Sequence, residues 1–204
     1  MEFENVVRKR RMVRNFQQRP VSPAIVDSIL ELALHAPSAG FSQGWAYVVI
    51  TEAELKKKVG EIQGESDFYA HRFHKFISEA PALIVACASE KVYHDRYMEP
   101  DKVKDDGTEI EWPTPYWYFD IGGACMLIFL AAVEKGLATA FTGVFRIDQM
   151  RKLRKRSVNQ PPNSAPIRPK ASNPAIIQAP CMIWMCLTSN SRVGPQSKTA
   201  YRMV

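Results

Sequence analysis

The 204-residue sequence lacks the short motifs that mark several large enzyme classes. No GxSxG, HExxH, GxGxxG or P-loop pattern occurs in it, so a nucleophile–base hydrolase is unsupported. The four histidines form no array with metal-ligand spacing. His71 and His74 would share one helical face, but no third ligand accompanies them at a recognisable spacing, and we predict no metal site.

Cysteine is scarce, and each of the four residues lies singly within an apolar stretch, without a CxxC pair. Buried reduced thiols are therefore the favoured interpretation of Cys87, Cys125, Cys181 and Cys186. No apolar run reaches the roughly 18 residues that span a bilayer, and the acidic start, residues 1–4, is unlike a signal peptide. The composition, 46% hydrophobic and 24% charged, is ordinary for a soluble globular domain, so we expect a cytoplasmic protein.

Acidic residues are missing from the end of the chain. Residues 151–204 contain 10 lysines and arginines and no acid, whereas residues 1–150 contain all 21 acids and 17 cations. Seven of the 14 prolines also lie beyond residue 150, so we predict a folded domain over 1–150 and an atypical basic, Pro-rich tail over 151–204, partly disordered. A chain translated out of its ancestral reading frame would have such a composition, and sequencing the coding DNA would test that hypothesis.

Hydrophobic periodicity indicates an alternation of helices and strands. The predicted helices cover residues 22–36, a segment opened by a Thr51/Glu54 capping box, residues 68–78, residues 120–135 and a short segment from Asp148. The predicted strands cover residues 45–50, 82–88, 137–145 and 181–187. Residues 90–118 are expected to be an irregular aromatic excursion, and helix 120–135 is apolar enough to run through the middle of the protein.

Two N-terminal segments have the composition of a ligand site. Six cations lie within residues 8–19, and guanidinium groups hold phosphate through forked hydrogen bonds. A solvated or nucleic-acid-binding arm is the alternative, but Val13 and Phe16 lie among the arginines, which favours a folded surface. The second segment, residues 36–45, is a loop of small and polar residues that could bond the polar edge of a flat heterocycle, or could simply connect a helix to a strand.

These segments resemble the nitroreductase family of FMN-dependent flavoproteins. The resemblance rests on residues 10–16 (RRMVRNF), Pro20-Val21, residues 36–45 (APSAGFSQGW) and the run from Asp120 through Leu130 to residues 136–143 (GLATAFTG). It covers roughly residues 5–155. It implies an α+β fold, a mixed sheet flanked by helices with a central buried helix, assembled as a homodimer with FMN at each subunit interface.

The resemblance also implies the cofactor site. The residues that match the family's cofactor-binding segments are Arg10, Arg11, Met12, Arg14, Pro37, Ser38, Ala39, Phe41, Gln43, Thr142 and Gly143. The arginines correspond to the phosphate and ribityl segment, Pro37–Ala39 to the loop beside the flavin ring, and Thr142-Gly143 to a turn that reaches the flavin from the other subunit or the sheet end. Phe68, Tyr69 and Phe73, with aromatics of the excursion, are candidates for a substrate-covering wall; ordinary packing is the alternative.

The implied activity is electron transfer from NADH or NADPH through bound FMN to a small organic acceptor, a nitro-aromatic, a quinone or similar, by a ping-pong cycle. The flavin supplies the reactivity, so no catalytic side chain is expected. A reductive dehalogenase, an enone reductase and a flavin-cleaving enzyme remain open within the same fold. A non-catalytic flavin- or ligand-binding module and a basic nucleic-acid-binding protein are the rivals from other classes, and Trp184 and Tyr201 are too few aromatics to favour the latter.

The sequence departs from the family pattern at several positions. Met12 stands where a small hydroxyl residue is common, Phe41 where Asn is frequent and Gly44 where Pro is frequent. In the tail we recognise neither the family's closing strand, nor its Gly-Tyr-Pro-like turn, nor its basic phosphate-reaching segment.

Overall fold

A computed structural model describes residues 1–70, 74–144, 146–157 and 181–189 of the chain. The helices in this part are α1 (Phe3–Lys9), α2 (Pro23–Ala33), α3 (Ala53–Gln63), α4 (Glu65–Ala70), α5 (Glu90–Tyr97), α6 (Tyr116–Glu134) and α7 (Ile147–Ser157), with a short 3-10 turn at Ala39–Phe41. The strands are β1 (Trp45–Ile50), β2 (Ala82–Ala88), β3 (Leu137–Gly143) and β4 (Cys181–Ser189). These bounds confirm the predicted strands, with β4 two residues longer and β3 two residues shorter than expected.

The four strands form one sheet in the order β1-β2-β4-β3, and each neighbouring pair is antiparallel. A parallel bridge between Met12 and Thr139 extends the sheet beyond β3, and the Val13 N–H donates to the Thr139 carbonyl at 2.9 Å. That bridge makes the sheet mixed and brings the N-terminal basic segment alongside β3. β4 comes from beyond the change in composition near Met150, yet it lies in the middle of the sheet.

The registers decide which loops share an end of the sheet. The pairs that show it are Trp45–Ala88, Cys87–Cys181 and Gly143–Ile183. The start of β1, the end of β2, the start of β4 and the end of β3 therefore lie together. The loop before β1 and the turn after β3 are at this same end, although they flank opposite edge strands.

Helices cover both faces of the sheet. β2 is buried along its whole length, as predicted, and its side chains alternate between two clusters, with Ile84 on one face and Leu83 and Val85 on the other. The first cluster joins the sheet to α2 and α6 and includes Ile29, Leu30, Trp45, Tyr47, Ile121 and Ile128. The second joins it to α3 and α7 and includes Val59, Phe76, Ile77 and Met150.

Helix α6 is buried along one side and exposed along the other in the single chain. Its buried side includes Ile121, Ile128 and Ala132, whereas Phe119 is 77% exposed and Met126 46%. By length and composition this 19-residue helix could cross a membrane, which corrects the statement that no stretch is long enough. Half of its most apolar window is buried within the fold, however, which also occurs in core helices of soluble proteins.

Two helix predictions are wrong in detail. The N-cap of α3 is Glu52, not Thr51, and it makes no side-chain cap bond. The helix expected over 68–78 is present only as α4, since the chain turns at residues 76–79. There the N–H groups of Ile77 and Ser78 donate to the buried Glu65 carboxylate, at 2.6 and 3.1 Å, in place of carbonyls one helical turn earlier.

The aromatic excursion is more regular than expected. Residues 90–118 contain α5 and the first residues of α6, which begins at Tyr116 rather than near Asp120. The sequence of α5 mixes aromatic and charged residues, and only Val92 and Tyr93 are buried in it. With so narrow an apolar side, hydrophobic periodicity could not reveal this helix.

Candidate functional site

The loop from Pro37 to Gly44 has an unusual backbone. Gly40 has φ of 59°, and two residues with side chains, Phe41 and Gln43, also have positive φ, of 56° and 49°. L-residues with a Cβ rarely adopt this region, at a cost of about 1–3 kcal/mol each. The loop therefore depends on contacts that hold it in this form.

A buried carboxylate on α6 holds one side of the loop. Oδ2 of Asp120 accepts a hydrogen bond from the Ala39 N–H at 2.9 Å. The same oxygen accepts the Tyr93 hydroxyl from α5 at 2.8 Å. Burial, and secondarily the bond to Asp120, raise the pKa of Tyr93, so this hydroxyl keeps its proton and remains a donor.

The loop also bonds within itself. The Gln43 N–H donates to Ser38 Oγ at 2.9 Å, and the Ser42 hydroxyl donates to the Ala39 carbonyl at 2.6 Å. Because Ser38 Oγ accepts a bond from the loop, its own O–H proton is the group that can be offered to a ligand. The side chain predicted to address a polar ring edge is thus held by its own loop.

Aromatic rings from α5 lie against the two glycines of the loop. A Cβ on Gly44 would be 2.6 Å from Tyr93 Cε2, and one on Gly40 would be 2.6 Å from Tyr97 Cε2. Real Cβ atoms do not approach ring carbons so closely. The glycine that stands at position 44 therefore makes room for Tyr93, the residue that bonds Asp120.

A guanidinium group holds the other side of the loop. Arg96 Nε donates to the Gly40 carbonyl at 2.9 Å, while Nη1 and Nη2 form a fork to Asp101, each at 2.7 Å. The hydrogen bonds from Arg96 lower the pKa of Asp101 to about 2. Asp101 is therefore ionised at neutral pH and keeps Arg96 oriented toward the loop.

The predicted phosphate-binding arginines lie beside β3. Arg10 is the C-cap of α1, and Arg14 places its guanidinium 5.7 Å from the centre of the Phe76 ring. Nη1 of Arg11 instead donates to backbone carbonyls of its own turn, those of Arg8 at 2.5 Å and Arg10 at 2.8 Å. In this structure Arg11 therefore bonds to its own turn, and its predicted contact with a phosphate stays a prediction.

The predicted cofactor residues fall into two groups. Met12, which lies between Arg10 and Arg14 in the sequence, bridges to Thr139 of β3, and the last residues of this strand are Thr142 and Gly143. The 37–44 loop lies at the same end of the sheet but beside β1. Two strands separate β1 from β3, so the edges are about 14 Å apart at a spacing of about 4.8 Å per strand.

The aromatic residues proposed for a substrate wall have mixed positions. Phe68 and Tyr69 lie in α4, but their side chains are not among those described, and Phe73 lies outside the described residues. Within the excursion, the ring centroid of Trp112 lies 6.3 Å from that of Tyr93 and 5.8 Å from that of Trp117. Tyr93 and Trp117 are buried in the core behind the loop, and the substrate-covering role of the aromatic residues stays a prediction.

Sequence reasoning missed the residues that hold the loop. Asp120 carried a signal, since it is the only charged residue of α6 before Glu134 and charged side chains are rarely buried unless paired. Tyr93 and Arg96 carried none, because the loop residues that they contact, Gly44 and Gly40, lie 49 and 56 positions away along the chain. No cluster of three or more metal-ligating side chains occurs in the described part.

Comparison with known proteins identifies the family. The model of the nitroreductase family matches residues 7–160. The chain belongs to the nitroreductase family. A relative from Archaeoglobus fulgidus, provisionally named an NADH dehydrogenase/NAD(P)H nitroreductase, is 29% identical over 154 residues, which are 75% of this chain and 74% of the relative. An iodotyrosine deiodinase of Nematostella vectensis is 27% identical over 148 residues, 68% of this chain and 54% of that protein.

Solved structures of nitroreductase-family proteins have the same fold. One from Streptococcus pneumoniae TIGR4 superposes with a TM-score of 0.68 at 16% identity, covering all of this chain and 96% of the other. An FMN-dependent nitroreductase from Clostridium difficile superposes with a TM-score of 0.63 at 18% identity, covering 97% of this chain and 90% of the other. The α+β nitroreductase fold expected from the resemblance is thereby confirmed.

Proposed function

We propose that this nitroreductase-family chain is an FMN-dependent oxidoreductase that transfers electrons from NADH or NADPH to a small organic acceptor. The observation that carries the proposal is the 37–44 loop, whose left-handed backbone is held by Asp120 and Arg96 at the end of the sheet. The second support is the arginine segment, in which Met12 forms a parallel bridge to Thr139 of β3. A solved structure of this fold is named an FMN-dependent nitroreductase.

The residues present fit FMN. Arg10 and Arg14 provide cations for its phosphate, and the Ser38 hydroxyl, with the backbone around Pro37, Ala39, Phe41 and Gln43, provides polar groups for the ring. Met12 supplies no side-chain donor, so the arginines and the backbone must compensate. The chemistry that FMN would supply in this site is hydride acceptance from a nicotinamide and delivery of the electrons to a second substrate, the two halves of a ping-pong cycle.

We further propose that the enzyme is a homodimer. The exposed face of α6 has Phe119, Met126 and the adjacent glycines Gly122 and Gly123, at which added Cβ atoms would meet nothing within 4 Å. Such a face allows the close approach of a second helix. A second copy could also bring its 37–44 loop to the arginine segment of the first, which lies at the opposite edge of its own sheet.

The acceptor is proposed to be a nitro-aromatic compound or a quinone. Reductive dehalogenation of an iodinated phenol is the second candidate, favoured by the similarity to the iodotyrosine deiodinase of Nematostella vectensis. A flavin-binding module without turnover is the remaining alternative. The two enzyme candidates share the reductive half of the cycle and differ in the compound that reoxidises the flavin.

The proposal is tested by adding FMN to the purified protein, removing excess, and recording the visible spectrum anaerobically before and after NADH or NADPH. We expect a yellow protein that bleaches and then recovers its colour with a nitro-aromatic, a quinone or 3-iodo-L-tyrosine. Colourless protein that takes up no FMN overturns the proposal, and stable colour without bleaching favours the binding module. Arg14→Gln should weaken FMN binding about tenfold, because a charged hydrogen bond is lost, whereas the exposed Arg19→Gln is the matched control.

A further inference from the structure

Burying the carboxylate of Asp120 costs folding free energy, and the hydrogen bonds of this side chain show which part of the chain it stabilises. The residue is 8% exposed and lies on the otherwise apolar α6. A carboxylate in such a place destabilises a fold unless hydrogen bonds compensate, and an apolar side chain is often at least as stabilising. Asp120 makes its bonds through Oδ2, to the backbone of Ala39 and the hydroxyl of Tyr93, rather than to a cation.

The bond to Ala39 acts on the most constrained part of the loop. Ala39 follows Ser38 and precedes the left-handed residues Gly40 and Phe41. While Asp120 accepts the N–H of Ala39, Arg96 donates to the carbonyl of Gly40. The carboxylate of Asp120 and the guanidinium of Arg96 therefore fix the consecutive residues Ala39 and Gly40. Ser38 directly precedes them in the sequence.

We infer that Asp120 is a positioning residue: through the Ala39 N–H it fixes the backbone of residues 38–40 in the form that presents Ser38 to the flavin, and Tyr93 orients its carboxylate. The identity of the ligand in this inference rests on the proposed function, whereas the positioning of the loop by Asp120 rests on the observed hydrogen bonds. The Tyr93 hydroxyl approaches the same oxygen as Ala39, so it holds that oxygen toward the loop. Gly44 completes the arrangement by leaving room for the Tyr93 ring.

A merely structural carboxylate provides the control. Glu65 is 5% exposed and also accepts two backbone N–H groups, those of Ile77 and Ser78, in a different turn. Both residues can be changed to alanine, as Asp120→Ala and Glu65→Ala, which removes the oxygens that accept these bonds. If Asp120 only stabilises the fold, both changes should lower stability, and neither should raise amide exchange in the 36–45 loop more than the other.

The first measurement uses the cofactor-free protein and hydrogen–deuterium exchange of a peptide covering residues 36–45. Asp120→Ala should raise exchange in this peptide about tenfold, Tyr93→Phe less, and Asp120→Asn least, because the amide oxygen can still accept both bonds. Glu65→Ala should raise exchange around residues 76–79 and not in the loop. Exchange of the loop that stays as in wild type in Asp120→Ala, or that rises equally in Glu65→Ala, overturns the inference. If Asp120→Ala does not fold, Tyr93→Phe decides the question: loop exchange that stays as in wild type in this variant overturns the inference.

The second measurement uses protein loaded with FMN. Asp120→Ala should weaken FMN binding about tenfold and change the visible bands of the bound flavin, with Asp120→Asn restoring most of both. Glu65→Ala should lower the thermal midpoint without altering the flavin bands. If wild type takes up no FMN, the proposed function fails while the exchange result still decides the role of Asp120. If wild type binds and reduces FMN but Asp120→Ala keeps wild-type affinity and bands, the positioning role fails and the proposed function stands.

Discussion

Arg96 Nε donates to the carbonyl oxygen of Gly40 at 2.9 Å, across 56 positions of the chain. The same guanidinium is held by Asp101 through two bonds of 2.7 Å. The segment after β2, expected to be an irregular excursion, therefore supports the loop before β1. This relationship leads directly to the first two predictions.

Replacing Arg96 by Met should loosen the 37–44 loop, because the Gly40 carbonyl loses its charged donor. We expect faster amide exchange in residues 36–45 and FMN binding weakened by about fivefold. Arg8→Met is the matched control, since Arg8 also pairs with a carboxylate, that of Glu4 at 2.7 Å, but on the surface of α1. Equal effects of the two changes on the loop would contradict the prediction.

The contact of Arg96 with Asp101 should weaken only in strong acid. The folded-state pKa of Asp101, about 2, lies below its ordinary value of 3.8, so the contact stabilises the fold fully above about pH 4. That stabilisation is lost as the pH falls through about 2. The difference in unfolding free energy between wild type and Asp101→Asn should be constant from pH 7 to 5 and disappear towards pH 2. A difference that vanishes between pH 6 and 5 would refute this assignment.

Substitutions at Gly40 and Gly107 allow the cost of backbone strain to be measured apart from the cost of steric crowding. Gly40 and Gly107 both have positive φ, 59° and 76°, but a Cβ at Gly107 meets nothing within 4 Å, whereas one at Gly40 would overlap Tyr97. Gly107→Ala should destabilise by about 1–2 kcal/mol from strain alone. Gly40→Ala should cost about 1–3 kcal/mol more, because the ring must move. Urea unfolding measures both, and indistinguishable midpoints would show that Tyr97 does not press on the loop.

Cys87 and Cys125 should be unreactive in the folded state. Both are buried thiols, as the sequence predicted, and burial raises the pKa of Cys125 to about 12. At pH 8 the thiolate would then be about one part in 10⁴, so alkylation should be slow. Mass spectrometry after a short iodoacetamide pulse should find both residues unmodified in native protein and modified in urea. Rapid labelling of native Cys125 would contradict its burial.

A charge on the exposed face of α6 should separate the proposed dimer. Met126→Glu would place an unpaired carboxylate in the interface, and we expect monomers in analytical ultracentrifugation. Met98→Glu is the control, because Met98 is similarly exposed, 52% against 46%, and lies just after α5. Dimers that persist in Met126→Glu would mean that another surface joins the copies.

Local regularities predicted much of the fold. Strands β1 and β2 and helix α2 follow from apolar and β-branched runs, and from a proline at the start of a periodic segment, all read within a few residues. The capping box at Thr51 is wrong because α3 begins after Glu52. The helix over 68–78 failed because a more distant group decided the backbone. Glu65, for example, draws residues 77 and 78 into a turn.

The candidate site shows the same division. Residue types alone predicted the basic segment, the small-residue loop and the position of Ser38. They could do so because recognition of a phosphate and of a ring requires particular hydrogen-bond donors at short spacing. Only the folded chain shows that Asp120 bonds Ala39, that Arg96 bonds Gly40, and that β4 lies between β2 and β3. Such contacts join residues 40 to 105 positions apart. No local pattern records them, since hydrogen-bond partners at that separation are decided by the packing of whole elements.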